Sequence, residues 1–522
     1  MNLLRQASRA GNITQAGVRR VARSAARPLD PNAMPTPLET QLYAASSQSD
    51  DAERLKTLEA TPNRPHLDVE PAPVGGLLRV ARWLGVDRAI AFTIMARGWA
   101  SVAGLVTVAL IARKLSLVEQ GYYYTFGSIV ALQLIFELGF SVVIQQLAAH
   151  EAAHLTFFDD GRIEGDGRTH ARLASVLRKS LHWYTIAAVL MGMLLVPTGW
   201  FFFSRSPDPA HAVAWRLPWC AVVVASCITF QIDPIFSFLE GCGFVARVAR
   251  TRFAQAILGS TLAWCALLLH HGLLAPAMMV SGQAIAGASW LYRKRSLLGG
   301  LYRHAIGDLH IDWWVEVWPF QWRIAVSYGC GFFIFQLFNP ILFHYWGPAA
   351  AGQMGMSMSL SNALASVAIA WIVTKSAPFG AMIARHNFAE LDSVFFRAVA
   401  QSLVISLLGS LAVWIISIEL SRHGVTLAQR LLPPLPLALL LLSMNINQLV
   451  ASMAVYLRAH KQEKFLVLSV IGAICVSLSA FFLGRKYGAL GMTAGQFCIA
   501  IVVGLGLGGY TFLKYRRQWH AA

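Results

Sequence analysis

The chain has 522 residues, 56% of them hydrophobic and only 13% charged, and its mean hydropathy is +0.53. Soluble proteins carry about 25% charged residues, so these values exclude a soluble fold and point to an all-α polytopic membrane protein. The formal charge of +17 would suggest nucleic acid in a soluble chain, but here it matters for where the positive residues fall relative to the spans, and no nucleic-acid partner is expected.

Residues 1–29 hold six arginines and no acid, and residues 28–73 hold eight prolines and eight acids. Neither stretch can bury a core, so 1–76 is expected to be a disordered tail. The arginine-rich start reads either as a presequence or as sequence upstream of a true start at Met34. No secretory signal is expected, because the first long apolar run begins near residue 89. Leu77 to Arg88 places its leucines on one face and its arginines largely on the other, the pattern of a short helix lying in the membrane interface.

Runs long enough to cross a core of about 30 Å, which takes about 20 helical residues, follow at 89–112, 122–147, 180–203, 215–239, 253–270, 273–292, 324–345, 352–373, 395–420, 435–457, 465–483 and 489–513. Twelve spans put both termini on one side. With that side inside, the inner segments carry 22 lysines and arginines and the outer ones 8, which fits cytoplasmic termini. The segment 293–323, with Trp313, Trp314, Trp318 and Trp322 toward its end, divides the chain into an N-terminal lobe (77–292, spans 1–6) and a C-terminal lobe (324–513, spans 7–12). A basic tail follows at 514–522.

The lobes echo each other. The run 272–287 (GLLAPAMMVSGQAIAG) resembles 488–504 (GALGMTAGQFCIAIVVG), and Gly121 and Gly352 open the second span of each lobe, with Ser128 and Ser359 seven residues on. Internal repeats are a common way to build a central transport site, and repeats of six spans would be related by an axis along the membrane normal.

Within 318–375, Gln321-Trp322-Arg323 opens the seventh span and Phe338-Asn339-Pro340 is expected to kink it. A turn at Trp346-Gly347-Pro348 leads to Ala351-Gly352-Gln353-Met354-Gly355 and a serine-rich helix. This series resembles the second half of polysaccharide flippases, the Wzx-like O-antigen and exopolysaccharide branch of the multidrug/oligosaccharidyl-lipid/polysaccharide exporter superfamily, over about 440 residues. The resemblance implies a MATE/flippase-like fold of two six-helix lobes. It also implies a lipid-linked glycan substrate on an undecaprenyl-pyrophosphate carrier, the bacterial inner membrane, and a place beside polysaccharide polymerase or export machinery in lipopolysaccharide or exopolysaccharide synthesis.

Ionisable groups within spans are costly, about 2.5–3.5 kcal/mol at mid-helix on insertion scales, and normally face protein or water. Arg97, Arg323 and Lys375 read either as cations lining a cavity for a pyrophosphate or acidic sugar, since arginine grips phosphate oxygens as a fork, or as anchors snorkelling to the interface. Glu137 reads as a coupling site for a proton or sodium ion, or as the partner of Arg97 in a structural bridge. Asp233, before Pro234, reads as a second coupling candidate or as a local cap at a hinge. Gln321, Asn339, Asn445 and Asn447 either contact sugar hydroxyls or join helices.

The seven cysteines show no CxxC pair or metal-like spacing and read as packing residues. The short outer connections, nearly free of acids, offer no catalytic site, and no P-loop, GxSxG or HExxH occurs, so neither an enzyme nor a cofactor is expected. Two alternatives to the flippase remain: a drug or cation exporter of the same superfamily, which would want an acidic cavity, and a membrane enzyme or scaffold of polysaccharide assembly.

Overall fold

The computed structural model describes residues 88–158, 162–205, 213–304, 313–460 and 464–520. The tail expected over 1–76 and the interfacial helix expected over 77–87 lie outside the described residues.

Long apolar stretches satisfy their backbone groups internally as helices, the economical solution where no water reaches them. The first lobe contains α1 (Arg88–Lys114), α2 (Leu117–Val130), α3 (Gln133–Glu137), α4 (Phe140–Ala152), α5 (Gly167–Ser204), α6 (Arg216–Gly241), α7 (Val245–Leu268) and α8 (Ala275–Arg293). After the amphipathic α9 (Arg295–Arg303), the second lobe contains α10 (Trp318–Phe335), α11 (Phe338–Trp346), α12 (Pro348–Val373), α13 (Ser376–Ala384), α14 (Phe388–Arg422), α15 (Pro434–Ala459), α16 (Leu466–Ile499) and α17 (Gly508–His520). The segment expected as a basic tail from residue 514 is the end of α17.

Helices stand at all twelve expected span positions. Eight are long and apolar enough to cross a membrane by length and composition, and the bent pair made by α2–α3 and α4 adds a ninth. The difference from twelve has two sources. Arg247, Arg250 and Arg252 dilute the start of α7, and Ser281, Gln283 and Ser289 lower the hydropathy of the 19-residue α8. The last two spans also run on without a loop: Gly488 (φ 61°, ψ −142°) reverses the chain inside α16. A Cβ at Gly495 would lie 1.8 Å from Ser479 Oγ, and one at Gly491 2.3 Å from the Leu483 carbonyl oxygen, so the residues after Gly488 return alongside those before it. Its counterpart, the α7–α8 hairpin, turns at His270 (φ 63°) and is joined by the Gln255 amide donating to the Gln283 carbonyl at 3.0 Å.

Two spans are broken. The seventh divides into α10 and α11 around Gln336-Leu337, just ahead of Asn339-Pro340, as a proline kink requires. The second divides at Leu138 (φ 53°) and Gly139 (φ 64°), a break not foreseen in the sequence. A short antiparallel ribbon, β1 (Leu155–Phe157) with β2 (Ile163–Gly165), follows α4 and is the only β structure among the described residues. The linking helix α9 is tied to α5 by Arg178, whose guanidinium donates to the carbonyls of Tyr302 and His304.

Candidate substrate path between the two lobes

The lobes meet through the second and eighth spans. The start of α2 lies against the start of α12 so closely that a Cβ on Gly121 would sit 2.0 Å from the Pro348 carbonyl oxygen, and one on Gly352 would sit 2.9 Å from the Gly121 nitrogen. These are the two glycines matched between the lobes in the sequence, and here they touch. Small residues let the backbones approach and so set the crossing point.

Around this contact the lobes interlock. Gln120 on α2 is fully buried and its amide donates to the carbonyls of Gly352 (2.8 Å) and Arg430 (3.1 Å). Arg430 returns the interaction, donating through Nη1 to Gln120 Oε1 at 3.0 Å and through Nη2 to the Leu115 carbonyl at 2.6 Å. Phe343 of α11 enters the aromatic cluster of the first lobe, 4.9 Å from Tyr122 and 5.4 Å from Phe203 between ring centroids. The face carrying the α1–α2, α11–α12 and α14–α15 turns is therefore sealed by polar and aromatic contacts together.

Along the seam, bonds between the lobes are fewer and polar. Asn339 donates to Ser128 Oγ at 2.9 Å, and Ser101 of α1 meets Ser366 of α12 at 3.3 Å between hydroxyl oxygens. Gln321 of α10 donates to the Leu138 carbonyl at 2.9 Å.

The ionisable residues separate by environment. Arg97 lies one turn before Ser101 on α1 and is exposed, and Lys375 lies just past the end of α12 and is exposed. Neither forms an ion pair with an acid among the described residues. The backbone of Arg323 lies in α10, and its side chain lies outside the described residues. The two carboxylates are instead engaged within the first lobe. Glu137 accepts from Ser141 Oγ at 2.7 Å, and that hydroxyl meets Tyr184 OH at 3.2 Å, so Glu137 is tied to its own broken helix and not to Arg97. Asp233 is 3.9 Å from Arg252 Nη1, and Arg252 also holds Glu240 at 3.2 Å.

The amides read as sugar contacts or helix joints are placed mostly at joints. Asn339 and Gln321 bridge the lobes, and Asn445 donates to Ser410 Oγ (2.9 Å) and to the Leu441 carbonyl (2.7 Å) on α14 and α15. Each keeps one side-chain oxygen buried without a hydrogen-bond partner. Asn447, half-buried on α15, lies one residue before Gln448, which donates to Ser402 Oγ at 3.1 Å. No group of three or more metal-ligating side chains occurs among the described residues.

Sequence reading missed Arg430, which was only one of the basic residues counted on the outer side, and Gln120, which sits at the start of an apolar run like an ordinary helix-end residue. The signal for the break at 138–139 was a glycine in mid-span, but nothing local marks its partner Gln321.

This geometry defines a polytopic helical membrane protein of two six-helix lobes with a polar seam between them, the fold of MATE-type transporters and lipid flippases. Among solved structures the chain is similar to the lipid II flippase MurJ in an inward closed conformation (TM-score 0.58, 13% identity, covering 82% of this chain and 90% of that one). It is also similar to an inward-facing multidrug resistance MATE family transporter of the MOP superfamily (TM-score 0.55, 14% identity, 81% and 99% covered). A third likeness is to the Vibrio cholerae MATE transporter VcmN (TM-score 0.50, 15% identity, 83% and 98% covered). At these identities the likeness shows the fold. No family model and no curated protein sequence matches the chain.

Proposed function

We propose that this protein is a flippase that carries a lipid-linked oligosaccharide, of the undecaprenyl-pyrophosphate type, from the inner to the outer leaflet of a bacterial inner membrane. The observation that carries this reading is a difference in pairing: Arg97 and Lys375 are exposed without acidic partners among the described residues, while Glu137 accepts a hydrogen bond from Ser141 and Asp233 lies beside Arg252 in the first lobe. A path with exposed cations and engaged acids suits an anionic head group. A drug or cation exporter would need the reverse.

The two lobes would rock about the α2–α12 contact, with the prenyl chain remaining in lipid. On this reading the sealed face is periplasmic and both termini are cytoplasmic, in keeping with the lysine and arginine bias. No ATP site is needed, because an inside-negative potential drives anions outward by about 2.3 kcal/mol per charge per 100 mV. Arg97, Arg323 and Lys375 would receive the pyrophosphate or acidic sugar, Asn447 is the amide best placed to meet hydroxyls, and Glu137 and Asp233 are candidate sites for a coupled proton or sodium ion. Polymerase or export proteins of polysaccharide synthesis are the expected partners.

The test is to delete the chain and identify which lipid-linked intermediate accumulates and in which leaflet. A finished oligosaccharide-lipid facing the cytoplasm, cleared by the wild-type chain but not by Arg97→Ala/Arg323→Ala, supports the flippase and its cationic path. An unfinished lipid already facing outward overturns the reading in favour of an enzyme or scaffold of assembly.

A further inference from the structure

We propose that Arg430 and Gln120 form a conformational latch between the lobes, and that breaking their reciprocal hydrogen bonds is the step that opens the sealed face. This rests on the alternating-access reading above. Four hydrogen bonds between the lobes converge on these two side chains: Arg430 to Leu115 and Gln120, and Gln120 to Gly352 and Arg430. Leu115 directly follows the first span, Gln120 lies at the start of the second and Gly352 at the start of the eighth. Arg430 is carried on the short turn Ala428–Arg430 before the tenth span. One residue pair thus ties three spans and a loop at the place where the lobes come closest.

The loop is not a loose arm. Gln353 donates to the Gln429 carbonyl at 2.8 Å, and the Leu432 nitrogen donates to Ser357 Oγ at 3.0 Å, so Arg430 moves with α12 and the second lobe. Any rotation that parts the lobes at this face must therefore pull the guanidinium away from Gln120 and Leu115. Aromatic contacts such as Phe343 with Tyr122 can slide over short distances, but directional bonds to a buried amide are made or lost as a set.

Release is not prohibitive, because the guanidinium is recovered by water on opening. Burial already disfavours its charge, and nearby Glu119 offsets part of that cost. The fully buried Gln120 amide has no such alternative while α2 and α12 stay together. These properties describe a two-state element whose closed form is favoured but reversible.

The experiment places spin labels at His271→Cys and Lys486→Cys, both exposed and on opposite lobes at the sealed face. The full chain, with its native cysteines replaced, is reconstituted in lipid without substrate, and the label-to-label distances are measured. The latch predicts a predominantly short distribution, with a longer population raised roughly tenfold by Arg430→Ala and likewise by Gln120→Leu. The double variant should open little further than either single one, because both remove the same set of bonds. Should Arg430→Ala fail to fold, Gln120→Leu, which fills its buried position with an apolar side chain of similar size, carries the test. Unchanged distances in a monodisperse variant overturn the latch. Opening in both variants, with lipid-linked intermediates unaffected by deletion of the chain, leaves the latch standing and removes the flippase reading.

Discussion

The side-chain amide of Gln321, in the seventh span, donates to the carbonyl of Leu138, the left-handed residue at which the second span breaks. A helix break inside a membrane frees backbone groups that require a partner, and here the partner comes from the other lobe. Gln321→Leu removes the donor and leaves that carbonyl unpaired, at a cost of about 1–3 kcal/mol. We expect a lower thermal unfolding midpoint for the purified protein, whereas Gln321→Asn, a shorter amide, should lose part of the difference. An unchanged midpoint in the leucine variant would mean that water or a neighbouring group replaces the amide.

The crossing of α2 and α12 depends on the absence of side chains. Gly121→Val places atoms where the Pro348 carbonyl now lies, so the lobes must separate at that face or the backbone must shift. Overpacking of this kind costs about 1–3 kcal/mol or more. The expected outcome is loss of transport with altered distances across the sealed face and retained helical content by circular dichroism.

Arg97 is exposed and makes no ion pair among the described residues, so its removal should cost little stability. If it meets a phosphate during transport, Arg97→Ala should slow transport by roughly tenfold to a hundredfold, the value of a charge-assisted hydrogen bond. Arg97→Lys should keep part of the rate, since it preserves the charge but not the fork. Equal rates in all three proteins, measured as leaflet exchange of lipid-linked substrate, would assign Arg97 to interfacial anchoring.

Glu137 accepts a hydrogen bond from Ser141, and a glutamine can accept the same bond. Glu137→Gln is therefore expected to fold normally. If the carboxylate couples transport to an ion, the variant should lose dependence on sodium or on a proton gradient in vesicles. Normal export, with no such dependence in the wild type, would leave Glu137 a structural role.

The end of the chain is fastened by one acid. Asp392 accepts from Arg516 through Nε (3.0 Å) and Nη2 (2.5 Å) and from Tyr456 OH (2.9 Å), with His520 3.5 Å away. Asp392→Asn should release α17, at a cost of about 1–3 kcal/mol for losing charge-assisted bonds in this partly buried setting. Faster hydrogen exchange over residues 508–520, without faster exchange in the first lobe, is the expected signature.

The amino-acid sequence alone determined the solvent this chain folds in, the twelve helical positions and the proline break of the seventh span. Each of these is a local property: run length, charge count or a missing backbone donor acts over a few turns of one helix. It also pointed to Gly121 and Gly352 as repeat partners, because small residues recur at matching positions. What lies between helices was decided only by tertiary structure. Gln120 and Arg430 are 310 residues apart in the chain, and neither shows by its neighbours that it will meet the other. The same separation hid the engagement of Gln321 with Leu138 and the commitment of Glu137 to Ser141 over Arg97. A polar side chain in a span announces that it needs a partner, since lipid offers none, but the choice of partner belongs to the packing of the two lobes.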